Sequence, residues 1–94
     1  MPNRARKIDD NQTLIVKQLR KCGVSVFITS MVGKGFPDLL IGTAGRNYLI
    51  ELKDGAKSAS RKKLTDDEKV FFDYWAGQVD KCESFEEIAK IIGL

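Results

Sequence analysis

Apolar and polar positions along this chain switch repeatedly between two periods. Leu14, Ile15, Leu19 and Cys22 recur at helical spacing, so a helix is predicted from a capping Asp9 or Asp10 to about Cys22, with Gly23 placed to end it. Val24 to Thr29 is weakly alternating and rich in β-branched residues, which predicts a strand. The loop Gly33-Lys34-Gly35-Phe36-Pro37 follows. Two further strand-like runs, Asp38 to Ile41 and Tyr48 to Lys53, are joined by the turn-rich stretch Gly42 to Asn47 and read as an antiparallel hairpin.

The second half of the chain returns to helical spacing. Asp54 to Lys63 is an exposed basic loop, after which Thr65-Asp66-Asp67-Glu68 has capping-box spacing and opens a second helix. Its stripe of Val70, Phe71, Tyr74 and Trp75 is expected in the core, and Gly77 is expected to stop it. A short strand over Val79 to Cys82 precedes a second capping box, Ser84-Phe85-Glu86-Glu87. The last helix then turns Phe85, Ile88, Ala89, Ile91 and Ile92 inward. The predicted order is α-β-β-β-α-β-α. Strand, helix and strand over Tyr48 to Cys82 make a parallel crossover unit, so a mixed sheet flanked by helices is expected.

Length and composition narrow this to one domain over residues 1–94, with residues 1–8 as a basic arm: 94 residues, 43% hydrophobic, supply a single modest core. No apolar run approaches the roughly 20 residues that span a bilayer, and Met1 to Asp10 does not read as a signal peptide, so a soluble cytoplasmic protein without a membrane partner is expected. The absence of His excludes imidazole catalysis. Cys22 and Cys82 make neither a metal-ligand pair nor a disulfide framework, and both read as buried thiols.

Charge changes the picture more. The net charge is +3, yet residues 1–63 carry 13 basic and 5 acidic residues while residues 64–94 carry 3 and 8. The basic residues cluster at Arg4, Arg6 and Lys7 and again at Lys57, Arg61, Lys62 and Lys63, with Lys34 alone in its loop. A solvated surface accounts for one such run; two runs flanking a set of carboxylates point to a polyanion such as nucleic acid.

Those carboxylates are the unusual feature. Alternation puts Leu49, Glu51 and Lys53 on one face of a strand and Tyr48, Ile50 and Leu52 on the other. A hairpin partner and a crossover helix on either side favour a central position, where a carboxylate and an ammonium need compensation by an ion pair or a metal. Hairpin pairing brings Asp38 near Glu51 and Lys53 although 12 residues lie between Asp38 and Glu51. Carboxylate and carbonyl oxygens suit a hard cation such as Mg²⁺, which activates water and stabilises phosphoryl charge, while an adjacent ammonium orients the water or neutralises that charge. The glycines near Lys34 complete neither a P-loop nor a dinucleotide fingerprint.

Pro37-Asp38 followed by Glu51-Leu52-Lys53 is the pattern of the PD-(D/E)xK nucleases. With Val32 to Gly42, Tyr48 to Gly55 and Leu64-Thr65 around it, the chain from about Asp9 to Ile92 resembles the small stand-alone VRR-NUC proteins of phages and bacteria. The resemblance implies an α/β, restriction-endonuclease-like αβββαβ core with an additional C-terminal helix, and a Mg²⁺- or Mn²⁺-dependent DNA endonuclease. By position match, Asp38, Glu51 and the Leu52 backbone carbonyl would be metal ligands and Lys53 the catalytic lysine. Small members act as homodimers on branched DNA, including four-way (Holliday) junctions, and a phage-encoded member works in the bacterial host cytoplasm. Two positions depart from the pattern: Gln12 stands where many relatives have a metal-binding Glu, and Glu68 where relatives often have Gln. Neither is assigned a role.

The expected DNA contacts are Arg4, Arg6, Lys7, Lys34, Lys57, Arg61, Lys62 and Lys63. Phosphate contacts carry no sequence information, which favours recognition of DNA shape, and cutting two strands symmetrically asks for a C2 homodimer. The alternative is a non-catalytic DNA-binding module on the same scaffold.

Overall fold

A computed structural model describes residues 11–94. The capping role expected of Asp9 or Asp10, and the arm with Arg4, Arg6 and Lys7, lie outside the described residues. The elements are α1 (Gln12–Lys21), β1 (Ser25–Ile28), β2 (Leu39–Thr43), β3 (Arg46–Leu52), a 3₁₀ turn (Ala59–Lys62), α2 (Asp66–Tyr74), β4 (Asp80–Cys82) and α3 (Phe85–Ile92). The four strands lie in sequence order, antiparallel from β1 to β3, with β4 parallel to β3. The fold is thus α/β with a mixed four-stranded sheet and three helices, and β3 is an inner strand, as its hairpin partner and crossover helix lead one to expect.

The hairpin is tighter than expected. Thr43 pairs with Arg46, so only Ala44 and Gly45 form the turn, both at positive φ (52° and 76°). Two consecutive left-handed residues match the twist of the flanking strands, and this lets pairing run through residues assigned to a turn by composition.

One face of the sheet carries the core. Leu39, Ile41, Ile50 and Leu52 are buried there against Ile15, Val16 and Leu19 of α1 and Ile88 and Ile92 of α3, with Val24 and Cys82 filling the edges. Each such side chain contributes about 1.5–3 kcal/mol through burial. The α1 stripe is rotated from the predicted one. Gln12, Ile15, Val16 and Leu19 face inward, while Leu14 is 58% exposed and Cys22 is exposed. The inward set has i, i+3, i+4, i+7 spacing, but a polar residue opens it and hides the pattern.

The second correction concerns α2. Its Thr65/Glu68 capping box is formed, yet the helix ends at Tyr74 and buries no residue; Val70, Tyr74 and Trp75 are all exposed. Phe71 instead meets Phe36 edge-on (5.4 Å between centroids) and Trp75 face-on (5.0 Å). The helix is docked by its first turn rather than along its length. There Gly35, at φ +77°, passes so close that a Cβ would collide with the Asp67 carbonyl and lie 2.7 Å from the Glu68 nitrogen. Gly35→Ala is therefore expected to lose at least ~2 kcal/mol of stability, through left-handed strain plus this overlap. A denaturation midpoint equal to that of the parent would show that the contact gives way freely.

At α3, Ser84 caps by accepting from the Glu87 nitrogen as expected, but the Glu87 carboxylate accepts from the Glu83 nitrogen at 2.7 Å rather than from Ser84.

Candidate active site

The other face of the sheet, at the end where β2 starts and β3 finishes, gathers the polar residues. Leu39 pairs with Ile50, so the next step of the ladder sets Asp38 beside Glu51. Side chains alternate along a strand, hence Asp38, Leu40, Leu49, Glu51 and Lys53 share this face. Asp38 Oδ2 accepts from the Leu52 backbone N–H at 2.9 Å, which ties the carboxylate to the tip of β3. Asp38, Glu51 and Lys53, the three residues picked out by pattern, thus stand together.

Both members of the Glu51-Lys53 pair are buried, at 2% and 7% exposure. The Lys53 ammonium lies 3.6 Å from Glu51 Oε2 but only 2.9 Å from Glu68 Oε1. Glu68 is therefore more than a helix cap: the oxygen that receives Lys53 also accepts from the Thr65 backbone N–H at 2.9 Å. The capping box orients a carboxylate that in turn holds the lysine over the sheet.

One cation shared among three carboxylates leaves the group short of positive charge. Burial pushes the Glu51 carboxyl up to about 10, with the neighbouring Asp38 and Glu68 charges adding to the rise. Burial also raises Asp38, against the pull of the Leu52 N–H. Glu68 ends below the ordinary carboxylate value, because hydrogen bonds from Lys53 and the Thr65 backbone outweigh its burial. In carboxylate form Glu51 Oε1 is buried with no hydrogen-bond donor among the described residues. Protonated, it can donate to the facing carboxylates.

A divalent cation would reverse this imbalance by favouring the ionised forms of both acids. Asp38 and Glu51, with the orphan Oε1, are the residues that could hold one. Among the described residues no three or more His, Cys, Asp or Glu side chains form a metal cage. Two carboxylates with a backbone carbonyl and waters is nonetheless a donor set that Mg²⁺ accepts, since it keeps much of its hydration.

Three further residues frame the site. Gln12 is 2% exposed, and its amide lies 3.3 Å from Ser30 Oγ, which is 3.4 Å from Asp38 Oδ1. The position where a helical Glu was looked for does reach the site, as a neutral amide one side chain removed from Asp38. Asn11 Nδ2 donates to the carbonyls of Lys53 (3.3 Å) and Glu83 (3.2 Å), fixing the chain just after Glu51. Ser30 and Asn11 were not anticipated. Ser30 lies two residues beyond the end of β1, and a polar residue near a strand end is too common a feature to signal its partner.

The basic residues are less concentrated. Lys34 is exposed at φ 55° in the loop before Asp38. Arg61 and Lys63 are exposed on the 54–63 segment and Lys57 is half-buried there, while Lys62 Nζ lies 3.5 Å from Glu83. Cys82, buried in the core, has its thiol pushed up to about 12 by burial and the nearby Glu87 and Asp80, which makes it unreactive. Comparison of the chain with protein-family models, with curated proteins and with solved structures returns no match.

Proposed function

We propose that this protein is a Mg²⁺- or Mn²⁺-dependent DNA endonuclease on a restriction-endonuclease-like scaffold, acting on branched DNA such as four-way junctions. The observation that carries the reading is the convergence of Asp38 and Glu51, with an undonated buried oxygen, beside the ammonium of Lys53. Asp38, Glu51 and the Leu52 carbonyl would hold the ion, which when bound supplies Lewis acidity toward a phosphate and a water of lowered pKa. Lys53 neutralises charge that builds on the scissile phosphate. Glu68 keeps that ammonium in place, and Asn11 fixes the backbone carrying it. The water oxygen forms a new P–O bond as one ester P–O bond breaks; the water gives up a proton to solvent and the leaving oxygen takes one from solvent.

A homodimer would present two such sites to two strands. The large apolar side chains left on the surface, Phe27 at 70%, Met31 at 72% and Val32 at 61% exposure, support association with a second copy. No helix among the described residues is long and apolar enough to cross a membrane. Cytoplasmic action fits the proposed substrate.

Cleavage of a synthetic four-way junction, compared with matched linear duplex and flap DNA in Mg²⁺, Mn²⁺ or EDTA, tests the reading. Metal-dependent cutting that favours the junction is expected, from a species sedimenting at twice the chain mass. A second reading, the non-catalytic DNA-binding module, draws on the neutral Gln12 and on the firm hold of Glu68 on Lys53. It predicts bound but uncut DNA with either metal.

A further inference from the structure

A groove lies between α1 and Ile28 at the end of the edge strand β1. It encloses about 520 Å³ and is lined by Gln12, Thr13, Lys17, Arg20, Lys21 and Ile28, with Val16 in its floor. Thr13, Lys17, Arg20 and Lys21 stand at i, i+4, i+7 and i+8, so one stripe of the helix faces this groove. Helix α1 carries these three cations and no acidic residue at all. The acidic residues of the other helices gather instead in their first turns, Asp66, Asp67 and Glu68 in α2 and Glu86 and Glu87 in α3. The positive charge of the folded domain is therefore polarised toward α1 as well as toward the segments flagged by sequence.

We propose that this groove carries the phosphodiester backbone of the DNA past α1 toward Asp38, with Lys17, Arg20 and Lys21 as the phosphate contacts. The inference rests on the nuclease reading. Its geometric basis is Gln12, which lines the groove and whose amide reaches Ser30 and, through it, Asp38. The Gln12 end of the groove is therefore the end that leads toward Asp38. Lys17 and Lys21 line the groove and are exposed, so their ammonium groups are open to solvent. Among the described residues no carboxylate engages Lys17, Arg20 or Lys21. Arg20 is already oriented, donating to the Val26 carbonyl at 2.9 Å from its guanidinium.

The test uses the full chain with a fluorescein-labelled four-way junction and the matched linear duplex, in Ca²⁺ in place of Mg²⁺. Affinity is followed by anisotropy across a range of salt concentrations. Lys17→Ala/Lys21→Ala leaves Arg20 and its structural bond intact, and both sites are exposed helical positions where alanine preserves folding. Its slope of log affinity against log salt is expected to shallow by about 1.8, with affinity down on the order of tenfold or more at ~0.1 M salt. Lys69→Ala/Lys90→Ala removes the same charge from exposed positions on α2 and α3 and is expected to hold the slope within about 0.3 of the parent.

If the parent binds and the α1 variant matches it in slope and affinity, the groove is not the path and the nuclease reading stands. Equal losses in both variants would mean a diffuse field rather than a path, and would also overturn the inference. A parent that binds neither DNA at low salt removes the nuclease reading and this inference together.

Discussion

Lys53→Met should leave a folded, DNA-binding protein that cuts a four-way junction at least ~100-fold more slowly, the usual loss when one donor to developing phosphoryl charge is removed. The ammonium is the only cation within reach of Glu51 among the described residues, and it sits 2.9 Å from Glu68. Deleting it strands those carboxylates in a buried setting. Breaking one side of such a pair costs about 3–5 kcal/mol, against a total of about 5–15 for a domain. A folding defect therefore has to be separated from a chemical one. Lys53→Met/Glu68→Gln does so, because the amide oxygen still accepts from the Thr65 N–H while the stranded charge is gone. The double variant should recover on the order of 1–2 kcal/mol of stability over the single, read by denaturation, and recover no cleavage. Asp38→Asn makes the companion case. It keeps an acceptor for the Leu52 N–H, deletes one ligand charge, and should be equally inactive at full folding. Parent-like cutting by folded Lys53→Met would end the assignment of Lys53.

The centre of this site was readable before any coordinates because it depends on two local regularities. Strand alternation sets Glu51 and Lys53 on one face, and hairpin pairing sets the residue before β2 against the end of β3. An overlong turn does not disturb this: reading all of residues 42–47 as turn still sets Ile41 against Tyr48, the pairing the structure has, so the register at Asp38 is unchanged. The frame around the centre was not readable in the same way. Asn11 reaches carbonyls 42 and 72 residues away, and such side-chain-to-backbone bonds leave no period in the sequence.

Gln12 and α2 show two different ways in which a helical pattern misleads. Gln12 occupies the first position of the buried stripe, so a search for apolar recurrence skips it and shifts the stripe toward Leu14. Only the resemblance to a family pattern points to the residue. Glu68 has a complete local explanation as a cap, and that explanation is true. The structure adds that the same oxygen holds Lys53. For α2, spacing alone marks Val70, Phe71, Tyr74 and Trp75 as one face, but spacing does not say whether anything covers it. With the core taken up by α1 and α3 on the opposite side of the sheet, most of that face stays outside.

Glu51→Gln is expected to make the metal-free protein more stable and, at the same time, inactive. The parent carboxyl titrates near 4.5 in the unfolded chain and at about 10 in the fold. Across that window folding takes up a proton. The stability tied to this group is therefore complete below about pH 4.5 and is lost as pH rises toward 10, at no more than ~1.4 kcal/mol per pH unit for one proton. Asp38, also raised, adds a loss of the same sign, whereas Glu68, lowered, contributes stability that is complete above about pH 4.5 and is lost only as pH falls through the acid range. Glutamine removes the proton exchange and supplies an N–H to the facing carboxylates, so the variant should gain about 1–3 kcal/mol at neutral pH and lose most of the parent's decline on the alkaline side. At ~4–8 °C per kcal/mol for a domain of this size, melting curves at about pH 6 and about pH 9 in EDTA resolve the difference. Mg²⁺ adds the functional half of the test. An ion that binds the ionised pair raises the parent's melting temperature more at the higher pH, by RT ln(1 + [Mg²⁺]/Kd) once the proton is gone, and leaves the variant nearly unmoved. Equal pH slopes in the two proteins would put the titrating group elsewhere than Glu51. A Mg²⁺ shift of full size in Glu51→Gln would remove Glu51 from the ion's ligands, and with it the strongest reason for placing the chemistry at this end of the sheet.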